Sequence, residues 1–199
     1  MRKLDSFEII FGVGLLAAFA LRLRERLRNR ANVQESYRDG VELLVMVLAF
    51  CGMLAIPILH LATDTFAFAS YRQRTSLGVA GAVVFVAALL LLWRTHVDLG
   101  RNWSESLELM ESHRLVTNGV YRHVRHPMYA AIWLWGIAQA LLLHNLVAGF
   151  SALALFAPLY FIRVPREEKM MLDHFGPAYA QYMARTRRIL PISTKPVIP

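Results

Sequence analysis

Residues 128–162 read MYAAIWLWGIAQALLLHNLVAGFSALALFAPLYFI, and this stretch decides the fold class. It holds two apolar runs, Met128–Leu143 and Leu146–Ile162, parted only by His144 and Asn145. Neither run carries a charged side chain, and each covers most of the roughly 20 residues that a ~30 Å hydrocarbon core requires. Two such runs joined by two polar residues read as a tight helical hairpin inside a membrane. Further out lie three more runs, Phe7–Leu21, Leu43–Ala62 and Leu77–Trp93. The expected fold is all-α, an integral membrane bundle of about five transmembrane helices. Arg and Trp at the run ends extend the shorter ones toward the headgroups. Of the 199 residues, 56% are hydrophobic and 18% charged, against about 25% charged in soluble domains. A soluble chain of this size has too little interior for that apolar content, and disorder is excluded by the same balance.

The chain is basic, +8, but its Lys and Arg flank the apolar runs rather than forming a nucleic-acid face. The pattern fits anionic headgroups, and no nucleic-acid partner is expected. Counted on alternate sides of the runs, Lys and Arg number 18 on one and 4 on the other. The positive-inside rule then sets the N-terminus outside and the C-terminus inside. The lone cysteine, Cys51, permits no intramolecular disulfide and no cysteine-based metal site. Ala18-Phe19-Ala20 matches a signal-peptidase pattern, but the Arg cluster after it favours an uncleaved anchor. Gly12-Val-Gly14 imitates a dinucleotide fingerprint; lying in an apolar helix with no preceding strand, it reads as a helix-packing stripe.

Two polar segments, His96 to Arg125 and the tail from Arg163, hold the candidate chemistry. Trp103-Ser-Glu-Ser-Leu-Glu-Leu alternates and reads as a short extended stretch. In Arg122-His-Val-Arg-His126-Pro127-Met-Tyr129, Pro127 suits a first helical turn and His126 falls near the N-cap, where free N–H groups attract an anion. The bland alternative is an interfacial belt. His123 and His126 lack further ligands, so no metal site is expected. In Arg163-Val-Pro-Arg-Glu167-Glu168, Arg163 and Glu167 are four apart and can share a helix face, with Pro165 disturbing the turn. A surface ion pair is worth under ~1 kcal/mol, whereas acidic residues at membrane depth tend to mark function. Beyond them, Leu172, Phe175, Tyr179 and Tyr182 recur at helical spacing, broken by Gly176-Pro177, and read as an interfacial helix lying on the membrane.

The run Gly119-Val-Tyr121-Arg-His-Val-Arg125-His126-Pro127-Met-Tyr129, the hairpin, and Arg163-x-x-Arg-Glu167-Glu168-x-x-Met171-Leu172 together form a pattern. It closes with Phe175-Gly176-x-x-Tyr179-x-x-Tyr182-x-x-Arg185-x-x-Arg188-x-x-Pro191. From about Asp98 to Pro191 the chain resembles the isoprenylcysteine carboxyl methyltransferase family, in its short five-helix prokaryotic form. The resemblance implies methyl transfer from S-adenosylmethionine, leaving S-adenosylhomocysteine, to the carboxylate of a lipophilic substrate such as prenylated cysteine at the cytoplasmic face. It implies a cofactor pocket made by the third connection and the tail. Cofactor contacts would fall on His113, Arg114, Leu115, Val116, Tyr121, His126, Pro127, Met128, Tyr129 and Glu167. Ser106 is a further contact, standing where relatives carry a larger amide. Arg163 would bind the substrate carboxylate, and Arg163 and Glu167 would be the catalytic pair. The whole chain, 1–199, would be one methyltransferase domain, with three helices in 1–95 and the connection, hairpin and tail in 96–199.

The chemistry suits that assignment. A carboxylate of pKa about 3.5 is ionised at neutral pH and needs no general base. What the protein supplies is desolvation and alignment, and a guanidinium holds a carboxylate without losing its charge. The start of the helix at His126 would receive the cofactor's own carboxylate. Three other readings stand beside it: a phospholipid N-methyltransferase, which must deprotonate an amine; a sterol reductase using NADPH, which normally has more helices; and a non-enzymatic membrane scaffold. The native acceptor and the oligomeric state are not legible.

Overall fold

A computed structural model describes residues 4–28, 33–36, 39–100, 108–110 and 115–191. The helices are α1 (Ser6–Arg28), α2 (Gly40–Phe50), α3 (Ile56–Ala62), α4 (Thr75–Leu99), α5 (Pro127–Leu142), α6 (Leu146–Phe175) and α7 (Pro177–Arg185). A π-turn, Cys51–Ala55, joins α2 to α3, so that Gly40–Ala62 runs as one span. A short antiparallel pair, β1 (Val33–Ser36) and β2 (Glu108–Met110), links the first and third connections. The strand overlaps the end of the expected extended stretch; Trp103 to Leu107 lie outside the described residues.

Four segments are long and apolar enough to cross a membrane: Ser6–Glu25, Gly40–Ala62, Thr75–Leu99 and Leu146–Phe175. The fourth apolar run forms the 16-residue α5, about 24 Å at 1.5 Å per residue. It is short because it begins inside the protein: Tyr121, Val124 and His126, which lead into it, are all buried. At its far end the hairpin is as tight as the sequence implies. His144 takes φ +30°, and the Asn145 side chain caps α6 by accepting from Val147 N and Ala148 N. The last carbonyls of α5 are also met: Tyr71 Oη donates to Ala140 O and Gln73 Nε2 to Leu141 O.

The expectation that the fifth helix ends at Ile162 is corrected: α6 continues through Pro165 to Phe175. Proline removes one backbone donor, but in a membrane helix neighbouring groups re-satisfy the freed carbonyl. The tail is corrected too. Tyr179 and Tyr182 of α7 are buried inside the protein, not laid on a lipid surface.

α4 packs along α5, α5 along α6, α6 against α2, and α1 against α4. Phe11, Phe85 and Trp135 form the centre, with Phe11 and Phe85 stacked at 5.5 Å and Trp135 edge-on to Phe85 at 5.0 Å. Small residues permit these approaches. A Cβ at Gly14 would overlap the Phe85 ring, whereas one at Gly12 would meet nothing within 4 Å, so the packing reading of Gly12-Val-Gly14 holds for Gly14 alone. Large side chains such as Leu16, Val83, Leu90 and Phe161 face outward, as lipid contact demands. One polar knot lies inside. The π-turn leaves Gly52 O free to accept from Gln139 Nε2 (3.0 Å) and Ser151 Oγ (2.7 Å). Gln139 in turn accepts from Trp135 Nε1 at 3.2 Å, so each of its polar atoms has a partner.

Candidate functional site

Where α4 ends, α5 begins and α6 runs on, several polar residues converge. Asp98, on the last turn of α4, accepts from Val120 N at 2.8 Å. Gly119 sits there at φ +57°, and a Cβ would strike the Asp98 carboxylate. Only glycine meets both demands. The contact fixes the 3₁₀ turn Gly119–Arg122 and with it Tyr121, whose carbonyl accepts from Tyr182 Oη at 2.6 Å.

Residues 124–126 then run beside the tail. Arg125 N donates to Arg187 O and His126 N to Arg188 O, both at 2.8 Å. Glu168 ties the two strands together. Its Oε1 accepts from Arg125 Nε at 2.9 Å and lies 3.2 Å from His126 Nε2, while Oε2 accepts from Arg188 Nη2 at 2.7 Å. Arg125 also donates to the Met183 and Thr186 carbonyls. The tail is thus clamped over the mouth of α5, and the pKa of Arg188 is raised chiefly by its hydrogen bond to Glu168.

The next carboxylate along α6 points elsewhere. Glu167 Oε2 accepts from Tyr129 Oη at 2.8 Å, and Oε1 lies 3.9 Å from His126 Nδ1. The His126 ring therefore stands between Glu167 and Glu168. One turn back, Arg163 Nη1 meets Glu42 Oε1 of α2 at 3.7 Å. Burial keeps the neighbouring phenols neutral: Tyr182 is pushed up to about 12. Tyr121 and Tyr179 are raised further, first by burial and then by nearby charge, including that of Glu167. At neutral pH they act as hydrogen-bonding hydroxyls.

Part of this arrangement borders a cavity of about 540 Å³. Its polar end carries Tyr121, Arg125, His126, Tyr129, Arg163 and Glu167, with Tyr179 and Tyr182. Its apolar end lies among α1, α2, the π-turn, α4 and α5 and includes Phe19, Met46, Phe50, Met53, Leu92 and Trp135. The first two long helices, to which the sequence assigned no role, wall that end. Among the described residues the lining holds no serine, cysteine or lysine. Among the described residues no three His, Cys, Asp or Glu converge as metal ligands.

Of the residues expected from sequence, Leu115, Val116, Tyr121, His126, Pro127, Met128, Tyr129, Arg163 and Glu167 all line this cavity. Ser106, His113 and Arg114 lie outside the described residues. His126 does occupy the N-cap with Pro127 following. However, its backbone N–H is committed to Arg188 O, which leaves those of Met128 and Tyr129 for an anion. Sequence reasoning missed Arg125, Tyr179 and Tyr182 as lining residues, Glu168 as the clamp, and Glu42. The signal for Glu42 was present: it is an acidic residue at the edge of an apolar run.

Comparison with known proteins finds similarities to one family. A family model described as the isoprenylcysteine carboxyl methyltransferase (ICMT) family matches residues 80–173. Protein-S-isoprenylcysteine O-methyltransferase B of Arabidopsis thaliana is 24% identical over 134 residues, covering 66% of this chain and 68% of that protein. The Homo sapiens protein-S-isoprenylcysteine O-methyltransferase is 30% identical over 122 residues, covering 60% of this chain and 43% of that protein. A solved structure of the eukaryotic intramembrane Ras methyltransferase ICMT has a TM-score of 0.52 at 24% identity and covers 76% of this chain. The chain spans about half, 51%, of that structure.

Proposed function

We infer that this chain, a member of the isoprenylcysteine carboxyl methyltransferase family, methylates the carboxylate of a lipophilic acceptor such as prenylated cysteine, with S-adenosylmethionine as donor. One observation carries this reading: Arg163 and Glu167 border the polar end of a cavity whose other end is walled by apolar membrane helices. An acceptor with an anionic head and a hydrocarbon tail matches both ends. The Lys and Arg bias of the sequence supports a cytoplasmic position for the polar end.

The donor's ammonium and hydroxyl groups need a carboxylate, and its adenine needs flat apolar or aromatic walls. Glu167 and the Tyr121, Tyr179 and Tyr182 rings supply these, so the residues fit the group. Bound there, the donor supplies an electrophilic methyl whose leaving group is a neutral thioether. Tyr129 holds Glu167 through the 2.8 Å hydrogen bond. The free N–H groups of Met128 and Tyr129 at the start of α5 suit the donor's carboxylate. Arg163 holds the acceptor carboxylate, and no side chain has to take a proton because that group is already ionised. The buried phenols and apolar wall exclude water from the anion, which strengthens its pairing with Arg163.

A second reading, N-methylation of an amine lipid, has one observation in its favour: Glu167 and His126 sit together in the wall, where a base would be needed. The deciding experiment offers the detergent-solubilised protein labelled S-adenosylmethionine with either a prenylated cysteine acid or an aminophospholipid. Base-labile label on the acid supports the carboxyl reading. Label on the amine lipid alone overturns it.

A further inference from the structure

Glu42 plays no part in the proposed transfer, yet its carboxylate faces Arg163, the cation assigned to the acceptor. It stands in the first turn of α2, is 2% exposed, and brings Oε1 within 3.7 Å of Arg163 Nη1. Among the described residues neither of its carboxylate oxygens accepts a hydrogen bond. The contact balances charge without directional bonding. One turn earlier at the N-cap of α2 and one turn later on α6, Asp39 meets Arg166 at 2.9 Å, half-exposed on both sides. Two acids three apart at the start of α2 thus face two arginines three apart on α6. The outer pair suffices as a surface tie between the helices; the inner one buries a carboxylate with no hydrogen bond, which is costly unless the charge is needed.

Methyl transfer supplies the need. When the acceptor carboxylate becomes a methyl ester, one C–O bond forms as one C–S bond breaks, anion and sulfonium cancel, and no proton moves. Arg163 then faces a neutral ester in a low-dielectric site and loses the anion that compensated it. We propose that Glu42 is the resident counter-ion of Arg163: it yields the guanidinium to the acceptor carboxylate and takes its charge back when the ester forms. Glu42 acts through Arg163, so it is a positioning residue rather than a catalytic one. The arrangement weakens binding of the acid and eases departure of the ester. This inference rests on the carboxyl reading above.

The test measures binding of N-acetyl-S-farnesylcysteine and of its methyl ester by calorimetry, without donor, to the full chain and to Glu42→Gln. Loss of the competing charge should tighten the acid by about fivefold or more, the scale of a partly screened ion pair, and widen the preference for acid over ester. In turnover, the acid's KM should fall while kcat does not rise. Asp39→Asn, which removes the outer pair on the same two helices, should leave that preference unchanged. If Glu42→Gln does not fold, Glu42→Asp, shorter by one methylene, should shift the preference the same way by less. A wild type that binds the acid, with variants of unchanged preference, would reduce Glu42 to a helix tie and overturn this inference alone. A wild type that binds neither acid nor ester would overturn the carboxyl reading and this inference with it.

Discussion

Replacing Glu168 by glutamine probes the clamp that closes the tail over α5. The substitution keeps shape and removes charge. In the native site the side chain is 5% exposed and faces Arg125 at 10%, His126 at 3% and Arg188 at 48%. Arg188 reaches water, and its loss is worth under ~1 kcal/mol. Arg125 does not, and removing one partner of a buried pair costs about 3–5 kcal/mol because the other charge is stranded. Arg125 keeps the Met183 and Thr186 carbonyls, which argues for the lower end, about 3 kcal/mol. For a chain of this length each kcal/mol moves Tm by roughly 2–4 °C, so Glu168→Gln should melt about 6–12 °C lower. Tryptophan fluorescence during heating in one detergent reads this directly. Because Arg125 and His126 also line the cavity, affinity for S-adenosylhomocysteine should fall in parallel. A Tm within about 2 °C of wild type would mean that the clamp is a solvated ion pair, and the argument that it builds the site would fail.

Arg163→Ala should abolish transfer while S-adenosylhomocysteine still binds; loss of both together would move Arg163 from the acceptor to the donor. Tyr129→Phe removes one hydrogen bond to Glu167 and should weaken donor binding by about five- to tenfold, on the scale of ~1 kcal/mol or somewhat more for a bond to a charged group. Glu167→Gln should weaken it more, and equal affinities in titration calorimetry would remove Glu167 from the donor site. Tyr121, Tyr179 and Tyr182 have folded-state pKa values above the unfolded value of about 10, Tyr182 near 12. Their contribution to stability is therefore complete below pH 10 and is lost as pH climbs toward and past 12. Near-ultraviolet phenolate absorbance at about pH 11 should find these three still protonated in the folded protein; full ionisation there without unfolding would contradict their burial.

The membrane architecture was legible because transfer of apolar side chains dominates it: five runs became the helices, and the His144-Asn145 break became the hairpin. The motif residues were legible through their order, and nine of them meet in one cavity. What escaped depends on facing rather than composition. Glu168 and Glu167 are adjacent in sequence, but about 100° of helical rotation sends one to the clamp and the other to the cavity. Pro165 reads in the sequence as disturbing a turn, whereas a long span with packed neighbours absorbs it. Tyr179 and Tyr182 have the spacing of a lipid-facing stripe, and only tertiary packing reveals that they face the site. Glu42 was hidden because an apolar run was read from Leu43, one residue after it.

The most direct measurement is titration calorimetry of the folded protein in detergent with S-adenosylhomocysteine and, separately, with NADPH. The account predicts saturable one-to-one binding of S-adenosylhomocysteine, lost or weakened in Glu167→Gln, and no binding of NADPH. Binding of NADPH alone, or of neither by demonstrably folded protein, would contradict it.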